Sequence, residues 1–160
     1  MFESAKYHEK QDNYEIVKQY GFIKPSPEDR KIIKETFQKI GITIHGIGYD
    51  LIDIKTKQTV DNGSLGSIIN DVYLYELKTT WRDDVASDFK GFTFGITENE
   101  ILNSITLKDK FKIVLLNGKT GNISIRYFQD IQVDYSHTAY FFSIGNSNKK
   151  IISFKDLIII

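Results

Sequence analysis

The chain has 160 residues, of which 41% are hydrophobic and 26% are charged, a composition usual for a folded protein with one sizeable core. It contains no cysteine, which excludes disulfides, thiolate metal ligands and a cysteine nucleophile. The 21 basic and 21 acidic side chains balance, but residues 1–106 carry a net charge of −4 and residues 107–160 one of +4. This mild bias permits nucleic-acid binding without requiring it, because nucleic-acid binders usually carry a stronger basic excess.

The opening stretch "MFESAKYHEK" is charged from the start, unlike a signal peptide. A run of about 18 apolar residues, which a transmembrane helix needs, does not occur anywhere in the sequence. We therefore expect a cytoplasmic protein without a membrane partner.

The first clear element is a helix at about 27–40. Ser26 suits the N-cap, Pro27 the first helical position, and Gly41 the C-terminal stop. The apolar stripe of this helix is Ile32, Ile33, Phe37 and Ile40.

Strands are predicted next. "ITIHGIGYDLIDIKTK" (42–57) alternates for most of its length, and "DVYLYELKTTW" (71–81) is rich in β-formers. The turn signal Asp61-Asn62-Gly63 between them indicates a hairpin-like connection that makes the two strands neighbours.

The second half begins with a polar loop at 82–91 and a short strand "FTFGI" (92–96). Thr97 and Glu100 form a capping-box pattern that predicts a helix from about 98 to 104. The apolar run "KFKIVLLNG" (110–118) is typical of a buried central strand.

Further strands are predicted at 121–135 and, as a hairpin with an apolar tail, at 139–160. The elements together indicate an α/β domain with a mixed central sheet and flanking helices. We expect one domain over 1–160, with an N-terminal extension (1–25), a core (26–118) and extra C-terminal strands (119–160).

Two of the strands carry charged residues that point to a shared site. Glu76 and Lys78 are two positions apart and so lie on one face of their strand, and Asp50 lies in the preceding strand. Two carboxylates brought close together repel each other and typically bind a hard divalent cation such as Mg²⁺. Taken singly, Glu76 and Lys78 are better explained as an exposed ion pair, and Asp50 as a solvated strand residue; only their combination favours a site.

Four motifs in order carry a resemblance to a known family. They are "GYDLID" (48–53), "YELKTT" (75–80), "FGITENEI" (94–101) and "KFKIVLLNG" (110–118). With a helix before them, they resemble the PD-(D/E)xK nucleases, which have the restriction-endonuclease-like fold. They are most similar to the domains at the C-terminus of NO VEIN proteins and in many bacterial defence proteins. The resemblance covers 48–118, and the segment 64–70 departs from it as an insertion.

The resemblance implies an α-β-β-β-α-β core and a role for each matched residue. Asp50 and Glu76 would bind Mg²⁺ or Mn²⁺, and the backbone carbonyl of Leu77 would add a ligand. Lys78 would orient the attacking water. Asp50, Glu76 and Lys78 are thus the implied catalytic residues.

Other residues are accessory candidates. Related folds often add an acidic residue from the first helix, for which both Glu35 and Glu28 remain open. Trp81 and Arg82 follow the proposed site and are placed to contact a nucleotide, although Trp81 is equally explained as a core residue. Glu100 is accounted for by the capping box.

The implied function is a metal-dependent endonuclease that hydrolyses DNA phosphodiester bonds in a restriction or defence system. Its partners would be DNA and other subunits or domains of that system, and a homodimer is left open. An alternative is a nuclease-fold module that binds nucleic acid or a partner protein without cutting. A further alternative is an unrelated α/β interaction domain whose motifs match by chance.

Overall fold

The computed structural model of this chain describes residues 13–63, 70–90, 92 and 94–131. Its centre is one five-stranded mixed sheet with the strand order β1-β2-β3-β4-β5. The strands are β1 (Phe22–Ile23), β2 (Leu51–Asp53), β3 (Leu74–Thr80), β4 (Phe111–Asn117) and β5 (Ile123–Tyr127). The helices are α1 (Pro27–Lys39), α2 (Ile54–Asp61) and α3 (Glu98–Leu107), and residues 13–18 are also helical. The predicted α/β class with a mixed central sheet is confirmed.

The two central strands, β3 and β4, are parallel and joined by a connection that contains α3. Their register pairs Glu76 with Ile113 and Lys78 with Leu115. The other neighbours, β1 with β2, β2 with β3, and β4 with β5, are antiparallel. The predicted adjacency of the strands that carry Asp50 and Glu76 is therefore confirmed, although Asp50 lies one residue before β2.

Helix α1 begins and ends as predicted. The Ser26 hydroxyl accepts a hydrogen bond from the Asp29 backbone N–H, and the Asp29 carboxylate accepts one from the Ser26 backbone N–H. Gly41 follows the helix with a φ of +79°, a conformation that glycine adopts without strain. Ile33 and Phe37 are fully buried, whereas Ile40 of the predicted stripe is 43% exposed.

The expectation of a strand over 42–57 is mostly wrong. Residues 42–50 are irregular, and only Leu51–Asp53 is strand. Gly46 and Gly48 have φ angles of +64° and +83°, which are incompatible with an extended strand. Alternation of apolar residues therefore did not produce a strand where two glycines turn the chain.

The expected hairpin turn at Asp61-Asn62-Gly63 is also wrong. Asp53 ends β2 and caps α2, since its carboxylate accepts a hydrogen bond from the Thr56 backbone N–H at 2.7 Å. Asp61 is the last residue of α2, and Gly63 has a φ of +63° just beyond the C-cap. The same residues that favour a hairpin turn also favour a helix end, and here they end a helix.

The predicted helix at 98–104 is confirmed and extends to Leu107, with the Thr97 and Glu100 capping box formed at its start. The polar loop at 82–91 contains no strand or helix among its described residues. The strand predicted at 92–96 is not formed by residues 92 and 94–96, which the structure describes as irregular. Between α1 and α3 the described residues hold two strands, β2 and β3, whereas the expected core has three.

Apolar side chains cover both faces of the sheet. One cluster, which includes Phe37, Leu74 and Phe111, packs α1 and α3 against the face that also carries Glu76. A second cluster on the opposite face includes Val17, Tyr75 and Leu116. A third, with Phe89, Ile113 and Leu115, lies beside the first. Strands β3 and β4 are thus buried on both faces, as expected for a central parallel pair.

Some predictions lie outside the described residues. These are the C-terminal hairpin at 139–160, the strand residues after 131, and the first 12 residues of the extension. Of the predicted C-terminal strands, β5 is formed. Within the described ranges, none of the helices has the length and apolar character needed to cross a membrane.

Replacing Phe111 tests the importance of the core beside β3. Phe111 is fully buried, so Phe111→Ala is expected to lower the free energy of unfolding by about 3–5 kcal/mol. Ile105→Ala is the control, because Ile105 is 57% exposed and its loss should cost less than about 0.5 kcal/mol. Urea denaturation followed by circular dichroism measures both, and equal losses would contradict this packing.

Candidate active site

Asp50 is held against β3 by two hydrogen bonds. Its backbone N–H donates to the Tyr75 carbonyl at 2.9 Å. Its carboxylate oxygen Oδ2 accepts from the Leu77 backbone N–H at 3.1 Å. Residues 75 and 77 flank Glu76, so Asp50 and Glu76 converge although 26 positions separate them in the sequence.

Glu76 and Lys78 form an ion pair that is largely buried. The Lys78 ammonium lies 3.1 Å from Glu76 Oε1 and 2.8 Å from Glu100 Oε2. The side chains of all three are only 12–13% exposed. This burial excludes the interpretation of Glu76 and Lys78 as an exposed surface pair.

Glu100 has two roles in the fold. Its Oε2 accepts from the Thr97 backbone N–H at 3.1 Å, which is the capping bond expected from the sequence, and also from the Lys78 ammonium. The second contact was missed, because the capping box alone accounted for Glu100. The contact between Glu100 and Lys78 could have been predicted from a parallel pairing of β3 and β4. In such a pair the first turn of the connecting helix lies near the carboxyl end of the preceding strand.

We call Asp50, Glu76, Lys78 and Glu100 the carboxylate–lysine cluster. Burial, together with the charges of Asp50 and Glu100, raises the pKa of Glu76 to about 9 against the opposing effect of Lys78. Burial lowers the pKa of Lys78, but the two glutamates more than offset this, so that the net pKa is raised and Lys78 stays charged. Three carboxylates facing one ammonium leave the cluster with surplus negative charge.

The loop that carries Asp50 (residues 42–50, the Asp50 loop) is braced by two side chains. The Asn103 amide, fully buried on α3, accepts from the His45 N–H and donates to the His45 and Gly48 carbonyls. The Arg30 guanidinium on α1 donates to the Ile47 and Tyr49 carbonyls. An irregular loop thus holds Asp50 in one place because two helices satisfy its backbone groups.

Tyr14 borders the same region from the helical residues 13–18. Burial raises the pKa of its hydroxyl, Asp50 and Glu76 raise it further, and Arg30 lowers it. The phenol of Tyr14 therefore lies within electrostatic range of Asp50, Glu76 and Arg30. Nothing in the sequence marked Tyr14 as part of this site.

The predicted accessory residues are not in the cluster. Glu28 and Glu35 are exposed on α1, and neither forms an ion pair with any residue in the ranges the structure describes. Arg82 is exposed and pairs with Asp84. Trp81 is 40% exposed just beyond β3, and its indole lies on the Gly118 backbone, where an added Cβ would approach within 2.4 Å.

The oxygen donors of the cluster suit a hard cation. Mg²⁺ is commonly bound by one or two carboxylates, with water and phosphate oxygens as its other ligands. Asp50 and Glu76 supply two such groups, and the surplus negative charge is of the sign that a divalent cation compensates. Within residues 13–63, 70–90, 92 and 94–131, no group of three or more His, Cys, Asp or Glu side chains is arranged to hold a metal ion.

Fold and cluster define a mixed α/β domain with a buried carboxylate–lysine cluster beside the parallel strand pair. Comparison with known proteins finds no family model, curated protein or solved structure that matches this chain significantly.

The pKa of Glu76 predicts a pH dependence of stability. Glu76 binds its proton more tightly in the folded state (pKa about 9) than at its ordinary pKa of 4.5, so stability falls as the pH rises between these values. Glu76→Gln removes this loss. We expect the variant to exceed the wild type in unfolding free energy by about 1–3 kcal/mol at pH 8, with a difference that shrinks towards pH 5.

Urea denaturation at several pH values measures this difference. Glu98→Gln is the matched control, because Glu98 is exposed in the same turn of α3 as Glu100. A difference between Glu76→Gln and wild type that stays constant from pH 5 to pH 8 would refute the raised pKa.

The close packing of Trp81 on Gly118 gives a spectroscopic prediction. Gly118→Ala would force the indole away from the backbone, and the emission of the protein's one tryptophan should shift to longer wavelength. The overpacking should cost about 1–3 kcal/mol of stability. Gly95→Ala is the control, since its Cβ would meet nothing within 4 Å, and an unchanged spectrum in Gly118→Ala would contradict the contact.

Proposed function

We propose that this chain is a metal-dependent endonuclease domain that hydrolyses phosphodiester bonds of DNA. The observation that carries the proposal is the convergence of Asp50, Glu76 and Lys78 in one largely buried cluster. A structural ion pair between β3 and α3 would need Lys78 and Glu100 alone. The two additional acidic side chains repel each other, and such groups of mutually perturbing titratable residues are frequent at functional sites.

The residues that would hold the metal are Asp50 and Glu76, with the Leu77 backbone carbonyl as a further ligand. Mg²⁺ or Mn²⁺, when bound, would act as a Lewis acid on a phosphate oxygen and lower the pKa of a coordinated water. The ligand role of Glu76 requires it to lose the proton that its raised pKa retains. Metal uptake should therefore release a proton and weaken at low pH.

Lys78 is the candidate for orienting the attacking water or the phosphate. Its ammonium has three donors, two of which point to Glu76 and Glu100, so one remains to hold a water or a phosphate oxygen. Glu100 also holds the ammonium, at 2.8 Å. This arrangement would fix the geometry of Lys78 before substrate binds, which is the main requirement for positional catalysis.

We also propose that the core is restriction-endonuclease-like. In support, α1, β2, β3, α3 and β4 follow in the order of that core, with Asp50 at β2 and Glu76 and Lys78 on β3. Three departures stand beside this order. The described residues hold two strands between α1 and α3, where that core has three. Helix α2 is inserted between β2 and β3, and the strand that pairs with β2 on its other side, β1, precedes α1. The proposal therefore rests on the segment from β2 to β4.

The cellular setting is part of the same proposal. The substrate would be cytoplasmic DNA, and the partners would be other subunits or domains of a restriction or defence system. A homodimer would place two such clusters on the two strands of a duplex.

A second candidate function is a module of the same fold that binds nucleic acid or a partner protein without cutting. One observation favours it: both recorded partners of the Lys78 ammonium are glutamates, as in a structural ion-pair network. Metal uptake separates the two functions. A hydrolase should bind Mn²⁺ in isothermal titration calorimetry and lose that binding in Asp50→Asn, whereas the binding module should show saturable DNA binding without metal uptake.

Cleavage of supercoiled plasmid tests the proposal. With Mg²⁺ or Mn²⁺ the purified protein should convert plasmid to nicked or linear forms, and EDTA should stop the reaction. Glu76→Ala and Lys78→Ala should lower the rate by at least about 100-fold, because each removes a group that acts in the transition state.

Glu98→Gln is the matched carboxylate control and should cleave like the wild type, because Glu98 is exposed outside the cluster. Cleavage that survives in folded Glu76→Ala or Lys78→Ala would refute the assignment of these residues. Circular dichroism confirms that each variant is folded.

A further inference from the structure

The Arg30 guanidinium is fixed beside the peptide bond that leads into Asp50. Its Nη1 donates to the Ile47 carbonyl at 3.1 Å and to the Tyr49 carbonyl. Its carbon Cζ lies 4.8 Å from the centre of the Tyr49 ring. Since the Tyr49 carbonyl belongs to the peptide of Asp50, this guanidinium lies beside the backbone of that residue.

No carboxylate in the described ranges pairs with Arg30. The eight ion pairs found there involve other residues, including the second arginine of the chain, Arg82, which pairs with Asp84. The two recorded hydrogen bonds of Arg30 use Nη1, and Nε and Nη2 donate to no acceptor in these ranges. Within the described ranges, this partly exposed guanidinium therefore has no carboxylate beside it, and its Nε and Nη2 donors can bind another group.

The planar fork of an arginine matches the oxygens of a phosphate, with which it forms two parallel charged hydrogen bonds. We propose that Arg30 is a phosphate-binding residue whose Nε and Nη2 donate to a backbone phosphate of DNA at the carboxylate–lysine cluster. This inference rests on the proposed function, because it takes the ligand to be DNA. It adds a contact that positions the substrate beside Asp50.

A bracing role alone does not account for Arg30. The Asp50 loop already receives three hydrogen bonds from Asn103, which is fully buried. Bracing by Arg30 uses one of its nitrogens and would be served by a lysine ammonium equally well. The stacking on Tyr49 and the second nitrogen pair are features that phosphate recognition needs and bracing does not.

Nuclear magnetic resonance can observe this contact directly, because the chain has only three arginines, Arg30, Arg82 and Arg126. A short DNA duplex is added to the ¹⁵N-labelled protein with Ca²⁺ in place of Mg²⁺, so that the duplex is not consumed. The Arg30 Nε–H resonance should shift and become protected from exchange. An Arg30 resonance that does not respond while DNA binds would overturn the proposal.

Variants separate contact from bracing. Arg30→Gln should weaken DNA binding about tenfold or more and lower the slope of log K against log salt by about 1, since one phosphate contact is lost. Asn103→Ala loosens the same loop but keeps the guanidinium, so the salt slope should not change.

Arg126→Gln is the matched arginine control, because Arg126 lies on β5 and donates to the Asp88 carbonyl. It should bind DNA like the wild type.

Three outcomes would overturn the contact. Arg30→Gln could bind DNA like the wild type, or the intact protein could bind no DNA. Arg30→Gln and Asn103→Ala could also both weaken DNA binding while giving the same slope of log K against log salt. If Arg30→Gln does not fold, Arg30→Lys replaces it. It should keep the salt slope but lose affinity, and wild-type affinity would refute the role of the fork. A protein that cleaves nothing while its Arg30 resonance responds to DNA would lose the proposed hydrolase activity and retain this contact.

Discussion

The Lys78 ammonium between Glu76 and Glu100 is the interaction on which the rest of this structure depends. An ammonium and two carboxylates that are each about one-eighth exposed cost free energy to bury, and only their mutual contacts offset that cost. The triad joins the centre of the sheet to the first turn of α3. Loss of the Lys78 ammonium would leave buried acidic groups without a cation beside them, and such losses destabilise by about 3–5 kcal/mol. The position of α3 against β3 is therefore set by charge as well as by the apolar cluster around it.

Helix α3 carries this constraint to Asp50. Glu100 and Asn103 are three residues apart, so they lie on the same face of the helix, one facing Lys78 and the other the backbone of the Asp50 loop. One face of α3 thus positions both Lys78 and, through the loop, Asp50. Arg30 braces the same loop from α1, which places a second cation next to Asp50. The consequence is a preformed group of three acidic side chains around one lysine, with the fold itself holding each of them in place.

The elements that local sequence signals predict well are those whose signals act over one turn or one strand. Ser26 and Thr97 start α1 and α3 as their capping boxes require, and the apolar run of β4 is a buried central strand. The failures occur where one signal serves two structures. The alternating segment 42–57 contains Gly46 and Gly48, whose positive φ angles interrupt an extended strand. The turn signal Asp61-Asn62-Gly63 ends a helix instead of forming a hairpin. In both segments the local energies of the competing conformations are similar, so tertiary contacts determine which one forms.

The chain alone indicates which residue types converge: Asp50 in one predicted strand, Glu76 and Lys78 on one face of the next, and two strands expected to be neighbours. It also indicates the capping role of Glu100. Only the tertiary structure shows three further contacts. Glu100 contacts Lys78 across 22 positions, Asn103 contacts His45 of the Asp50 loop across 58, and Arg30 contacts the Tyr49 carbonyl beside Asp50 across 19. Local propensity extends over a few residues, whereas these contacts form because buried polar groups must find partners among the other groups buried beside them.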